Sequence, residues 1–171
     1  MYSVTKTIPI GDGFGNAVQL RSTTIGKDGT LGKDIPLDLR ACSCCQTSAA
    51  VTEDGTVLIA YRDRTADEIR DISIVRRYYG IWSGPVNVHA DDWEISGCPV
   101  YGPATDAQAT DAVVAWFTGA DNIATIKVAF SEDSGVTFGP AFQVDSGESV
   151  GRVGTLMLAT GDALISWVEW T

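Results

Sequence analysis

The segment Ser131–Phe138 reads SEDSGVTF and decides the fold class of this chain. Its pattern, S-x-D-x-G-x-T-F, places a carboxylate at Asp133 where it can accept backbone N–H groups of a tight turn, and a glycine at Gly135 where φ is positive. Phe138 follows the turn and is expected to pack onto the sheet beneath it. The segment therefore predicts a β-hairpin whose turn is built by five structural residues: Ser131, Asp133, Gly135, Thr137 and Phe138.

Sequence repeats extend outward from this hairpin. Three nearly continuous apolar runs end in the aromatic residues Tyr61, Trp116 and Trp167, which are 55 and 51 residues apart. Such runs are typical of strands that are covered on both faces. A second set of strands, each leading through a turn to a hydrophobic anchor, follows at a similar interval. These strands are predicted at 18–22, 72–76 and 126–130, and their anchors at Leu31, Trp82 and Phe138.

Four strands in each period of this length are typical of the blades of a β-propeller, and the sequence shows no helical periodicity. The chain is therefore predicted to be all-β, with one propeller domain over residues 1–171 made of four-stranded antiparallel blades. Its expected parts are a partial blade at 14–46, complete blades at 47–97 and 98–150, and a partial blade at 151–171, with Met1–Gly13 unassigned.

These parts amount to half of a six-bladed ring, whereas closed propellers have about four to eight blades. Each partial blade would leave one strand edge unpaired, and such edges favour association with another chain. Two chains related by a two-fold axis would cover both edges at once. The sequence therefore predicts a homodimer that closes a six-bladed propeller.

Composition and charge argue against several classes of function. The 171 residues are 44% hydrophobic and carry a net charge of −10, which argues against nucleic acids and anionic membranes as partners. No stretch reaches the length of a membrane helix. The first residues lack the basic start and apolar run of a signal peptide, so a cytoplasmic location is the default expectation. No phosphate loop is present, and no cofactor is predicted.

In a four-stranded antiparallel blade, the loops after the second strand and the linkers between blades lie at one end, called here the loop end. The opposite end carries the short turns and is called the turn end. Loops on a rigid frame often carry function, so ligand contacts are expected at the loop end. Arginines there can hold a carboxylate in planar forks, or alternatively form ion pairs that lock a long loop. The candidate ligand-binding residues are Arg62, Arg64, Arg70, Arg152 and Trp93.

The four cysteines, Cys42, Cys44, Cys45 and Cys98, are also expected at the loop end. Three interpretations stay open. All four thiols could supply soft ligands to a metal, although the spacing differs from the usual C-x2-C pairs. A disulfide such as Cys45–Cys98 could form in an oxidising setting, since both residues precede the first strand of a blade. Buried free thiols are the third interpretation, favoured for a cytoplasmic chain.

From about Val18 onward, the chain resembles the sialidase-like propellers with Asp-box (BNR) repeats, whose signature turn matches Ser131–Phe138. The resemblance implies a six-bladed fold with a site at the mouth of the channel, and it leaves a secreted origin open. Further motifs are similar to those of a bacterial branch of this family. They are Cys-x-Cys-Cys-Gln-Thr at 42–47, Tyr61-Arg62-Asp63, Arg70-Asp71-Ile72, Cys98-Pro99-Val100-x-Gly102-Pro103 and Ala115-Trp116-Phe117.

Sialidases of this family hold the substrate carboxylate with an arginine triad and use a tyrosine nucleophile paired with a glutamate, together with an aspartate acid. In this resemblance Arg62 and Arg152 can stand for triad members and Tyr101 with Glu94 for the nucleophile pair, and Asp92 is a further catalytic candidate. The Arg-Ile-Pro motif that carries the first triad arginine is missing.

The expected function is therefore a non-catalytic homodimer that binds an acidic small molecule or a glycan. One alternative is a sialidase-type glycoside hydrolase acting on an acidic sugar. The other alternative is a metal-binding propeller that uses the four cysteines.

Overall fold

A computed structural model describes residues 18–170, and over this range the chain is all-β, as predicted. Thirteen strands form four antiparallel sheets in the described part of the chain. The first sheet pairs β1 (Val18–Ser22) with β2 (Ile35–Ala41). The fourth pairs β12 (Ser149–Met157) with β13 (Ala163–Glu169).

The two middle sheets are larger. In both of them, consecutive strands are neighbours, with the exception of the last two strands of the second sheet, as expected when short turns join antiparallel strands. The second sheet contains β3 (Ser48–Val51), β4 (Val57–Arg62), β5 (Ile72–Tyr78), β6 (Ile81–Trp82) and β7 (Val86–His89), and both β6 and β7 pair with β5. The third sheet contains β8 (Ala104–Gln108), β9 (Asp111–Thr118), β10 (Thr125–Ser131) and β11 (Phe142–Gln143).

The predicted strand positions agree with this architecture. The apolar runs that end in Tyr61, Trp116 and Trp167 lie in β4, β9 and β13, each the second strand of its sheet. The strand predicted at 18–22 is β1, and those predicted at 72–76 and 126–130 lie within β5 and β10. β12 begins at Ser149, two residues before the expected start of the last part at 151. The expectations for residues 1–17 lie outside the described residues.

The core lies between neighbouring sheets and is centred on β4 and β9. One cluster joins Leu58 and Ala60 of β4 with Ile74 of β5 and Trp116 of β9, all of them fully buried. The sheets follow one another through their first strands, since β3 contacts β8 and β12 contacts β8 and β9. Full burial of one large apolar side chain contributes about 1.5–3 kcal/mol, so these clusters stabilise the packing of the middle sheets.

The outer sheets are covered less completely. Along β13, the side chains at Ala163, Ile165 and Trp167 are half-buried, while Leu164 and Val168 are exposed. β13 pairs with β12 alone and β1 pairs with β2 alone among the described residues. Both outer sheets therefore end in an unpaired strand edge.

The Ser131–Phe138 turn has the contacts expected from its pattern. Asp133 Oδ1 accepts the backbone N–H of Thr137 at 2.8 Å, and Gly135 has a φ of +75°. The Gly135 N–H donates to Ser131 Oγ at 2.9 Å. Phe138 packs against the cluster around Trp116. The turn is thus fixed by hydrogen bonds among its own residues.

One predicted anchor is wrong. Leu31 is 69% exposed, because it lies in a short turn where it forms an isolated bridge with Ile25 at the open side of the first sheet. Trp82 is half-buried in β6, where it packs against Tyr61 and Val75. Over residues 18–170, no helix has the length and apolar character needed to span a membrane.

Candidate functional site

The loop end brings together three segments that are far apart in sequence. They are the cysteine turn (residues 42–47) after β2, the Arg loop (residues 63–71) between β4 and β5, and the linker (residues 90–103) between β7 and β8. β4 and β9 both end here, and β12 begins here. The candidate site residues of all three segments are therefore held at one end of the sheets.

Arg62, the last residue of β4, lies at the centre of this end and is 1% exposed. Its guanidinium donates to three carbonyl oxygens: Nε to that of Tyr101 at 2.8 Å, Nη1 to that of Arg70 at 2.6 Å and Nη2 to that of Phe117 at 2.6 Å. It also lies 4.9 Å from the centre of the Trp93 ring. Arg62 therefore ties β4 to the linker, the Arg loop and β9.

The charge of Arg62 has no carboxylate partner within hydrogen-bond distance in the described part of the chain. Burial lowers the pKa of the guanidinium, and the largest opposing effects come from Cys45 and Cys42. Guanidinium groups nevertheless stay protonated in proteins. A buried positive charge next to the cysteines is therefore a fixed property of this site.

Ion pairs organise the Arg loop. Glu68 accepts from Arg64 at 2.5 Å and from Arg70 at 2.7 Å, and the Arg64 hydrogen bond lowers the pKa of Glu68 to about 2. Asp71 accepts the backbone N–H groups of Asp92 at 3.0 Å and Trp93 at 3.1 Å, which fixes the linker to the loop. The contacts required by the ion-pair interpretation of this loop are therefore present, and Glu68 occupies both Arg64 and Arg70.

Aromatic rings continue the site toward the surface. The ring centres of Trp93 and Phe117 are 5.7 Å apart, and those of Phe117 and Tyr101 are 4.8 Å apart. The exposed guanidinium of Arg152 lies 6.0 Å from the centre of the Tyr101 ring. A Cβ at Gly151, where φ is +82°, would lie 2.9 Å from Tyr101, so a glycine is needed for this approach of β12.

The three candidate catalytic residues are not assembled as a nucleophile and its partners. Glu94 is exposed and its backbone forms a bridge with Ile69, while Asp92 is exposed with a φ of +53°. Tyr101 is half-buried against Phe117. No hydrogen bond joins Tyr101 to Glu94 or to Asp92 in the structure of residues 18–170.

The cysteines correct the predicted pairing. A disulfide joins Cys44 to Cys98, with 6.3 Å between their Cα atoms, while Cys42 and Cys45 are free thiols. Of the three interpretations, the favoured one of four free thiols holds for Cys42 and Cys45 alone, and the disulfide forms at Cys44 instead of the example residue Cys45. The cysteine turn has no strand periodicity that would fix which side chain faces the linker, so spacing alone could not distinguish Cys44 from Cys45.

The sulfur atoms nevertheless form one cluster. The Sγ atoms of Cys42, Cys44 and Cys45 all lie within 4.8 Å of one another. The metal interpretation requires thiolates at these three cysteines and at Cys98. In this state Cys44 and Cys98 are bonded to each other, so only two free thiols remain.

The two free thiols differ in acidity. A hydrogen bond from Cys45, the backbone N–H of Cys44 and the Arg70 guanidinium together lower the pKa of Cys42 to about 5. Donation to Cys42 and burial raise the pKa of Cys45. Cys42 is therefore the thiolate of the pair.

Two features of the loop end were missed at the level of sequence. Asp91 is almost fully buried and accepts from Trp116 Nε1 at 2.6 Å and Lys127 Nζ at 2.5 Å, with His89 Nε2 at 3.8 Å. The neighbouring Asp92 was singled out instead, and nothing in a pair of adjacent aspartates indicates which one faces the core. Phe117 is not among the predicted site residues, because an aromatic residue at the end of an apolar strand is typical of a core position.

A large cleft lies at the turn end, away from all these residues. It has a volume of ≈ 1020 Å³ and runs between the Ser131–Phe138 turn and the start of β13. None of the predicted ligand-binding or catalytic residues lines it.

Comparison with known proteins gives no family for this chain. No family model matches it, and no curated protein matches it.

Proposed function

We propose that the chain is a non-catalytic, ligand-binding half of a six-bladed propeller that binds an acidic sugar or glycan at its loop end as a homodimer. The observation that carries the proposal is the exposed guanidinium of Arg152 over the ring of Tyr101, above a site whose buried arginine is already satisfied. This arrangement offers one available positive charge beside one aromatic face.

Arg152 and Tyr101 provide complementary contacts for an acidic sugar. A guanidinium binds a carboxylate through two parallel hydrogen bonds, which suits a sugar acid better than a neutral sugar. The face of an aromatic ring packs against apolar C–H groups, and Tyr101 keeps part of its surface exposed. Trp93 is only 9% exposed and therefore supports Tyr101 and Phe117 from below.

The contacts of the other arginines and of Tyr101 favour a binding function over catalysis. Arg62 is occupied by three carbonyls, and Arg64 and Arg70 both pair with Glu68, so Arg152 is the candidate arginine without a hydrogen bond or ion pair among the described residues. A tyrosine nucleophile needs a nearby base to activate it. Tyr101 has no such hydrogen-bonded partner among the described residues.

The outer sheets support closure of a ring by a second chain. The first sheet supplies two strands with a free edge at β1, and the fourth supplies two strands with a free edge at β13. Pairing of β13 from one chain with β1 of the other would build sheets of four strands, like the middle ones. It would also cover part of the exposed apolar surface at Leu164, Val168 and Trp170.

Ligand binding is tested by calorimetric titration with N-acetylneuraminic acid, with galactose as the neutral control. Saturable binding of the acid alone is expected, and Arg152→Ala should weaken it by about tenfold or more. Arg21→Ala removes another exposed arginine, outside the loop end, and should leave the affinity unchanged. Equal binding by both variants would contradict the proposed site.

Catalysis is tested separately with a fluorogenic sialoside. No turnover is expected from the wild-type chain. Turnover by the wild type that is lost in Tyr101→Phe would contradict the non-catalytic function and support the glycosidase alternative.

The oligomeric state is tested by light scattering of the 171-residue chain. A mass of twice 18.2 kDa is expected. A monomeric mass together with binding of the acidic sugar would contradict the proposed ring closure and support the proposed binding site.

A further inference from the structure

The cysteine turn holds a free thiol against a disulfide. Cys42 Sγ lies 3.6 Å from Cys44 Sγ, which is bonded to Cys98. At this distance the two sulfurs are in van der Waals contact. The Cys44 sulfur is thus within reach of a second sulfur that is not its partner.

Two buried cations surround this thiol. Arg70 Nη1 lies 3.6 Å from Cys42 Sγ, and Arg70 Nε is buried with no hydrogen-bond partner among the described residues. Arg62 is buried nearby with only carbonyl partners. Burying a positive charge is costly unless a negative charge is close, and a thiolate at Cys42 supplies one.

We propose that Cys42 and the Cys44–Cys98 disulfide form an internal thiol–disulfide exchange site. The Cys42 thiolate attacks Cys44 Sγ, a new Cys42–Cys44 bond forms, and the Cys44–Cys98 bond breaks. Cys98 leaves as a thiolate, which is protonated by solvent because Cys98 is exposed. One disulfide and two thiols are present before and after, so no external oxidant or reductant is needed.

The exchange changes what holds the linker. In the observed state the disulfide ties the linker to the cysteine turn, and the linker carries both Trp93 and Tyr101. After the exchange, the new disulfide lies within the cysteine turn and the linker keeps only its non-covalent contacts. The site therefore has two covalent states that differ in how firmly Tyr101 is held beside Arg152.

The two states are distinguished by peptide mapping of the purified chain, prepared without reductant and first checked for bound metal by elemental analysis. The chain is equilibrated near neutral pH and quenched in acid. Free thiols are alkylated under denaturing conditions, and the protein is digested with trypsin. Cys42, Cys44 and Cys45 fall in peptide 41–62 and Cys98 falls in peptide 78–127. The observed disulfide links the two peptides, whereas the exchanged one leaves Cys98 alkylated.

Alkylated Cys98 together with a disulfide inside peptide 41–62 is expected in the wild type as a minor species, because the exchange removes the negative charge beside Arg70. Cys42→Ser should reduce this species by about tenfold or more, because it lacks the attacking sulfur. Cys42→Ala should give the same result, and a thermal melt of each variant shows whether it is folded. Cys45→Ser is the matched control, since it removes the other free thiol and should still exchange.

Three results would overturn the proposal. The first is a wild type in which the cross-linked peptides are the sole disulfide species. The second is alkylation of all four cysteines or a stoichiometric bound metal, either of which would mean that the four thiols are reduced. The third is a species that persists in Cys42→Ser and is lost in Cys45→Ser, which would make Cys45 the nucleophile.

Discussion

Asp133 at the turn end and Arg62 at the loop end are held in different ways. At the turn end, the carboxylate of Asp133 is bound by Ser131 and Thr137, two and four residues away. At the loop end, Arg62 donates to carbonyls that are 39, 8 and 55 residues away. The Asp133 turn therefore depends on local contacts, whereas Arg62 depends mainly on contacts that form only once the sheets have assembled.

Local and long-range contacts contribute differently to stability. Local turns cost little entropy to close and can form early, whereas each long-range contact requires the ordering of several segments. A buried cation that joins four segments makes the loop end sensitive to any change in its geometry. We expect the loss of Arg62 to lower the free energy of unfolding more than substitutions at the turn end do.

The largest effect is expected from Arg62→Met. It leaves three buried carbonyls without their donor and should lower the free energy of unfolding by about 3–5 kcal/mol, as measured by urea denaturation. Arg62→Lys should recover little, because one ammonium group cannot match the planar fork that reaches all three carbonyls.

Arg21→Met is the control for this experiment. Arg21 is exposed and pairs with Asp34 on the surface, so its loss should change the free energy of unfolding by no more than about 0.5 kcal/mol. If both variants lose the same amount, Arg62 does not join the four segments as described.

An intermediate effect is expected from Gly135→Ala at the turn end. The positive φ alone costs a non-glycine residue about 1–2 kcal/mol. The new Cβ would also lie 2.9 Å from Leu58 Cδ2, so Leu58 must move. The total loss of unfolding free energy should exceed the loss from φ alone and is measured by the same denaturation.

Gly55→Ala separates these two contributions. Gly55 has a similar φ of +82°, but no atom lies within 4 Å of its built Cβ. Gly55→Ala should therefore lose only the part of the unfolding free energy that comes from the positive φ, without the part that comes from a clash of side chains. Equal losses in the two variants would mean that Leu58 adapts freely and that the turn does not press on the second sheet.

The same contrast explains what could be predicted from sequence. The turn at Asp133 and the strands at 72–76 and 126–130 were predicted because their signals are local: a turn pattern and a hydrophobic period. The loop end was located correctly in outline, since Arg62, Tyr101 and the cysteines do lie there. Its contacts were not, because the choice of Cys44 over Cys45 depends on how separate segments meet.

The solvent exposure of side chains at the edge of the first sheet could not be predicted from the sequence either. Leu31 has the apolar side chain expected of an anchor, yet it is exposed at the edge of the first sheet. An apolar residue at a repeated position indicates burial only where a neighbouring sheet is present to cover it. In the first sheet, Leu20 and Ala41 pack against Tyr61 and Val75 of the second sheet, whereas Leu31 remains 69% exposed.

The smallest effect is expected at the ion pairs of the Arg loop, and it depends on pH. The pKa of Glu68 is lowered from its ordinary value of 4.5 to about 2 in the folded chain, so its contribution to stability is complete above pH 4.5 and is lost as the pH falls toward 2. Because the pair is partly exposed, Glu68→Gln should cost less than about 1 kcal/mol near neutral pH.

Urea denaturation of the wild type and Glu68→Gln at a series of pH values measures this contribution. The difference between the two proteins should shrink as the pH falls below the ordinary pKa, because protonated Glu68 resembles glutamine. Glu53→Gln, at an exposed glutamate with no ion pair among residues 18–170, should show no such trend. A difference that stays constant with pH would mean that Glu68 acts through packing, and that charge at the loop end is balanced mainly at Arg62 and the cysteines.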